Sequence, residues 1–239
     1  MRNKNNHLNI VFLVLIVLAT LVLAIEPEGA TILYNVSETK NASPAGYVNT
    51  SGGTFTTLVL YAETQNPRWK AYAGNVTGLL TLDDANNYTI YRWTDVDITG
   101  EVYTSRSSDI DWMDINCSSY SNITYEEGQL NHTTTSADSI NSTFMYKIHK
   151  SFYVGEVFIK NSTCRSTVTW VNNTEQTIAE NSLFQEILLS DGNNLVYATP
   201  VENNVIGFNN KTYDFQMIVA ENTDFNMPNT VYYFYVELV

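Results

Sequence analysis

Histidine is nearly missing from this chain: 239 residues hold three, and only His132 and His149 lie beyond the apolar N-terminal run. That leaves little material for a Ser-His-Asp site or for imidazole metal ligation. No HExxH, GxSxG, GxxxxGK or GxGxxG occurs, so metalloprotease, nucleophile-elbow and nucleotide-loop chemistry lack their signatures. Basic residues are scarce too: 12 Lys plus Arg face 25 Asp plus Glu, for a formal net charge of −13. Such a surface repels nucleic acid and anionic lipid head groups, and it suits solubility, a salt-rich exterior or cation binding. Ala, Glu, Lys and Arg are sparse while Thr, Val, Ile, Tyr and Phe abound, which favours pleated structure over helix.

What is present begins with export. Arg2 and Lys4 precede Ile10–Ile25, an uncharged run whose one polar residue is Thr20, the pattern of a secretory signal. Val22 and Ala24 suit the −3 and −1 positions of a cut after Ala24; retention as an anchor is the competing reading, at the short end for a membrane span. Membrane contact is expected only through this segment if it stays. No Gly stands at its basic edge, which argues against a type IV pilin leader.

Twelve Asn-x-Ser/Thr triplets follow, at Asn35, Asn41, Asn49, Asn75, Asn87, Asn116, Asn122, Asn131, Asn141, Asn161, Asn172 and Asn210. Chance in a chain this rich in Asn, Ser and Thr gives about five, so dense N-glycosylation is the expectation, with a loop-composition bias as the bland alternative. The two cysteines, Cys117 and Cys164, read as one disulfide of an oxidising compartment, closing a loop of roughly 48 residues.

The expected fold is an all-β, antiparallel β-sandwich, jelly-roll or immunoglobulin-like, with little helix outside residues 1–25. Residues 26–53 read as a tether carrying one short strand, Thr31–Val36, with Ile32, Tyr34 and Val36 on one face. Residues 54–239 read as the sandwich domain. Strand-like runs span Thr54–Ala62, Arg68–Ala73, Val76–Leu82, Tyr88–Trp93, Ile98–Thr104, Thr143–Ile148, Tyr153–Lys160, Cys164–Val171, Leu183–Leu189, Leu195–Ala198, Tyr213–Ala220 and Thr230–Leu238. Asp191-Gly192-Asn193-Asn194 is a hairpin signal. The polar, sequon-rich stretch near 118–142 reads as a long exposed insertion. Residues 54–63 and 212–221 share their ends and their apolar spacing, which two strands of one sheet can produce by chance. The last run, Val231–Leu238, is apolar on both faces and so belongs in the middle of a sheet or at an interface.

Chemistry-bearing clusters are few. Asp109, Asp111 and Asp114 have the hard oxygen ligands and close spacing that calcium selects, against the plainer reading of a solvated strand face. No other cofactor is expected. Trp69, Trp93, Trp112 and Trp170 could stack on sugars, although their apolar contexts favour core packing.

The stretch Trp69-Lys70-Ala71-Tyr72-Ala73-Gly74-Asn75-Val76-Thr77-Gly78, then Leu82 to Ala85, Tyr91-Arg92-Trp93, Gly100 to Tyr103 and Trp112 to Cys117, resembles secreted archaeal proteins of cell-surface layers and filaments. The resemblance covers about the first half of the exported part and implies a location and lineage, with no catalytic residues to carry over. Together these features predict a secreted, N-glycosylated structural or adhesive protein of the cell surface, not an enzyme. Its expected partners are copies of itself or other surface proteins, joined by strand exchange through Ile32, Tyr34 and Val36. A carbohydrate-binding module and a carboxylate-based hydrolase are the alternatives.

Overall fold

The structure is a computed structural model and describes residues 26–93, 99–224 and 226–238. The apolar run of the export segment lies outside the described residues. The strands are β1 (Glu28–Gly29), β2 (Trp69–Gly74), β3 (Thr81–Asp83), β4 (Thr89–Arg92), β5 (Gly100–Ser105), β6 (Asn116–Cys117), β7 (Phe152–Val154), β8 (Val157–Ile159), β9 (Ser166–Val168), β10 (Gln185–Ser190), β11 (Leu195–Pro200), β12 (Val205–Ile206), β13 (Thr212–Tyr213), β14 (Phe215–Ala220) and β15 (Tyr233–Leu238). Two short helices, α1 (Tyr120–Gln129) and α2 (Ile140–Thr143), and one 3-10 turn, Trp112–Asp114, complete the elements among the described residues.

The fold is all-β, antiparallel and sandwich-like. Its principal sheet runs β1-β15-β5-β11-β10-β6, with β9 also pairing β10. Every residue of β10 and β11 is buried, because the sheet is covered on both faces, and the polar members Gln185, Glu186, Ser190 and Thr199 are enclosed with the apolar ones. Their hairpin closes at Asp191, whose Oδ1 accepts the N–H groups of Asn193 (2.9 Å) and Asn194 (2.6 Å), while Gly192 takes a positive φ of 94° that suits glycine.

Against one face lie the β2–β14 pair and the helices, enclosing Val102, Ile123, Leu130, Ile140, Phe144, Leu188, Tyr197, Met217 and Val219. Against the other lie the β7–β8 hairpin and the 3-10 turn, enclosing Tyr103, Trp112, Ile115, Phe152, Val154, Ile187 and Val196. Cys117 and Cys164 form the disulfide, with Cα atoms 4.8 Å apart. It ties β6 to the chain entering β9, and in the chain-entropy model such a closure contributes about 4 kcal/mol. His149 fixes the same corner: its Nε2 accepts from the N–H of Thr163 (3.1 Å) and Cys164 (2.9 Å).

Several expectations are corrected. No strand forms at Thr31–Val36 or Thr54–Ala62; among the described residues the one strand before residue 69 is β1. Tyr153–Lys160 is a tight hairpin, turned at Glu156 and Gly155, instead of one strand. Residues 118–142 are not an exposed insertion: α1 and α2 send Ile123, Leu130 and Ile140 into the core, and Glu126 holds Arg106 through two hydrogen bonds (2.5 and 2.7 Å). Of the tryptophans, Trp112 is buried and Trp69 half-buried, whereas Trp93 and Trp170 are exposed. β15 is interior to its sheet, between β1 and β5, as its two apolar faces require.

Candidate assembly surface

Between β1 and β2 the chain leaves the domain as an arm. One root is β1, which pairs Glu28 with Val236 and Gly29 with Tyr235, and Ala30 N–H adds a bond to Phe234 C=O (2.9 Å). The other root is fastened to Asp138, which accepts from Asn66 Nδ2 (2.8 Å) and Arg68 (3.1 Å), while its carbonyl accepts from Trp69 Nε1 (2.8 Å). All residues from 28 to 67 are exposed. The arm turns back at Ser51–Thr54, where Gly53 has a φ of 81°, and Lys40 and Glu63 bridge the two limbs at 2.9 Å.

Arm composition conflicts with that exposure. No charged residue occurs from 41 to 62, and the limbs carry Ile32, Leu33, Tyr34, Val36, Tyr47, Val48, Phe55, Leu58, Val59, Leu60 and Tyr61 in solvent. Val59 is 96%, Phe55 91% and Leu60 87% exposed. A soluble monomer rarely displays an apolar surface this extensive, and strand-prone segments in solvent are normally interrupted by charge. The expected interface residues Ile32, Tyr34 and Val36 lie on this arm, in the limb that also holds the sequons at Asn35, Asn41 and Asn49.

The domain offers an open edge near the arm. β2 pairs only with β14, from Trp69 opposite Ala220 to Gly74 opposite Phe215, and its outer side meets no strand among the described residues. Ala71 and Ala73 are exposed on β2, and beneath it Tyr72 meets Phe234 edge-on at 4.9 Å. Phe234, Val236 and Leu238 of β15 stay only half-covered on this side. The opposite edge of the pair is closed: the Ile218 N–H is taken by Glu186 Oε2 (2.9 Å), and Gln216 Nε2 donates to Thr169 (2.9 Å) and Trp170 (3.2 Å).

Nine of the twelve sequon asparagines are exposed: 35, 41, 49, 75, 87, 116, 131, 172 and 210. Asn122, Asn141 and Asn161 are half-buried, and the amides of Asn122 and Asn161 donate to Gly192 C=O (3.1 Å) and Glu180 (2.6 Å). Asn87, Asn131, Asn172 and Asn210 sit at positive φ, the backbone state that asparagine tolerates in turns.

Comparison with family models, with characterised proteins and with solved structures finds no match for this chain. Its role must therefore be read from its own residues.

The acidic triplet is not drawn together. Asp111 caps the 3-10 turn by accepting the Met113 N–H (3.2 Å), Asp109 and Asp114 are exposed, and among the described residues no group of three or more His, Cys, Asp or Glu is placed to hold a metal ion. Asp109 and Asp111 do line a shallow cleft with Asp191, but Asp191 spends its oxygens on its own turn and on the Asp111 N–H. Glu101 and Glu237 face each other across β5 and β15, buried in place of lining a cleft. Burial first, and Glu237 second, push the Glu101 carboxyl up to about 8. The exposed pair Tyr91 and Trp93 meets at 76°, not the flat shelf a pyranose stacks on.

Residues 120–129 carry one helical signal in the sequence: the spacing of Ile123 and Leu130 with Glu126 and Glu127 between, one face, behind Ser119 as cap.

Proposed function

We propose that this protein is an exported, N-glycosylated structural subunit of a cell surface, joined to neighbouring copies through its arm by strand addition. The observation that carries this reading is the exposed arm, which holds no charged residue from 41 to 62 and displays apolar side chains along both limbs with no covering layer in its own chain. Burying such side chains against a neighbour yields about 25 cal/mol per Å2 of apolar surface, a driving force for assembly that the monomer leaves unused. The disulfide fits an oxidising exterior, and the exposed sequons fit a sugar-coated surface facing solvent. The resemblance to archaeal surface-layer and filament proteins points the same way.

The test is electron microscopy and light scattering of the chain from residue 26 beside a variant that keeps β1 but has Ile32, Tyr34, Val36, Phe55, Val59 and Leu60 all changed to Ser, with circular dichroism on both. The unaltered chain should form filaments or a lattice, and the variant should stay a folded monomer. Undiminished assembly of the variant would sink this reading.

A further inference from the structure

We infer that the donor in this assembly is the return limb, Thr54–Glu63, and that it adds as a strand to the free edge of β2 in a second copy. The inference rests on the assembly reading above and names its two surfaces.

Three observations select the return limb over Thr31–Val36. It is apolar on both faces, with Phe55, Val59 and Tyr61 on one and Leu58, Leu60 and Ala62 on the other, as a strand buried between a sheet edge and a neighbour requires. It is free of sequons, because none occurs between Asn49 and Asn75, whereas Asn35 lies within Thr31–Val36 and a glycan there would stand on the strand itself. The longer sequon gap from 173 to 209 covers the buried strands β10 and β11; the gap from 50 to 74 spans an exposed limb and an exposed edge, the two surfaces that would meet.

The acceptor matches. β2 offers six residues of unpaired edge, whereas β1 already occupies the middle of the β15 edge and the β14 edge is closed by Glu186 and Gln216. Ala71 and Ala73 leave room beside that edge, and Lys70, its one charge, is paired with Glu221. The half-covered row Phe234, Val236 and Leu238 supplies an apolar floor. Phe55, Leu58, Val59, Leu60 and Tyr61 would bury on the order of 700 Å2 from the donor side, enough for a standard interface once the acceptor is counted.

A second copy is favoured over self-pairing because the limb's end is held at Asp138 through Asn66 and Arg68, and Glu63 is bridged to Lys40 in the other limb, so the limb stands away from its own β2. Donor and acceptor are different surfaces of one molecule. Their contact is heterologous and propagates into a chain of subunits unless it closes a ring.

The experiment uses the exported full chain, whose native cysteines are both in the disulfide, so any added cysteine is the free thiol. Single variants Thr57→Cys, Leu58→Cys, Val59→Cys and Leu60→Cys are each mixed with Ala71→Cys or Ala73→Cys under mild oxidation. Adjacent positions sample every register in which the limb lies beside β2. Mixed disulfide dimers in at least one combination, and ladders when both cysteines are in one chain, are expected. Leu58→Asp with Leu60→Asp should weaken assembly by at least about tenfold while the monomer's melting temperature holds. Double-cysteine chains that close only on themselves, or native assemblies that never cross-link here, would overturn the donor and acceptor assignment and leave the assembly reading intact. A full chain that never assembles would overturn both.

Discussion

Two ten-residue segments of this chain have nearly one pattern and opposite fates. Thr54–Glu63 reads TFTTLVLYAE and Thr212–Glu221 reads TYDFQMIVAE, with the same ends and similar apolar spacing. The second forms β13 and β14 and buries Met217, Val219 and Ala220 completely. The first forms no strand, and Val59, which occupies the position of Met217, is 96% exposed. Strand propensity describes a side chain that fits a pleated, half-buried surface, and it is realised only where an edge and a covering layer exist. β14 has β2 beside it and β11 beneath it; the arm has neither within its own chain.

The largest expected effect breaks this pair apart. Met217→Ala should cost about 2–5 kcal/mol of folding stability, the usual range for emptying a packed aliphatic site. Val59→Ala should change the monomer's stability by less than about 0.5 kcal/mol, as for an exposed position. Urea unfolding of both variants reads the contrast directly. A destabilisation at Val59 comparable with that at Met217 would mean that the arm packs on its own domain, and the two segments would be twins after all.

The same contrast explains how much could be read in advance. The all-β class, the antiparallel hairpin at Asp191–Asn194 and the disulfide follow from composition, turn chemistry and cysteine count, all local properties of the sequence. The strands of residues 100–105, 185–190, 195–200 and 233–238 emerge where expected, since each carries its own apolar run. Thr31–Val36 and Thr54–Ala62 carry equally good runs but lack a neighbouring edge, and alternation alone cannot report that. The open edge at β2 was equally invisible, because it depends on β14 arriving from 140 or more positions later in the chain. Residues 120–129 depart from the sequence expectation in the opposite direction. Ser, Asn and Thr disguised a helix whose buried side includes two glutamates, made acceptable by Arg106 and by the Asn141 N–H.

A second, intermediate effect separates the regions by pH. Glu63, in the arm, has a carboxyl held below its ordinary value, first by its hydrogen bond to Lys40, and in full solvent it contributes nothing to folding. Glu101, in the packed sheet, titrates at about 8 because burial and Glu237 oppose its charge. A carboxyl raised on folding stabilises the protein fully below its unfolded value of 4.5 and loses that contribution as pH rises toward 8. Burial raises the Glu186 carboxyl as well, so stability should fall as pH rises from about 4.5, and Glu101→Gln should reduce that slope without abolishing it. His149 acts in reverse: burial lowers its pKa, so its contribution fades as pH falls. Melting temperatures across this range, with Glu63→Gln as the control that leaves the slope unchanged, decide the matter. An equal response from the two variants would erase the distinction.

The smallest effect tests where the boundary between the regions runs, at the segment that looks most like a loop. Ser119 caps α1 by accepting the Asn122 N–H (3.2 Å), and Asn122 Oδ1 returns the bond to the Ser119 N–H (2.9 Å). Removing such a cap costs about 1 kcal/mol when the helix unfolds together with the protein. If residues 118–142 were a solvated insertion, Ser119→Ala would fray the helix locally and leave global unfolding unmoved, since local and global opening are then separate events. Because Ile123 and Leu130 lie in one core with Leu188 and Tyr197 of the principal sheet, the cost should appear in full in a single cooperative transition. A loss of about 1 kcal/mol in global stability assigns the segment to the packed body, and an unchanged midpoint with faster amide exchange confined to 120–130 would assign it, with the arm, to the exposed part.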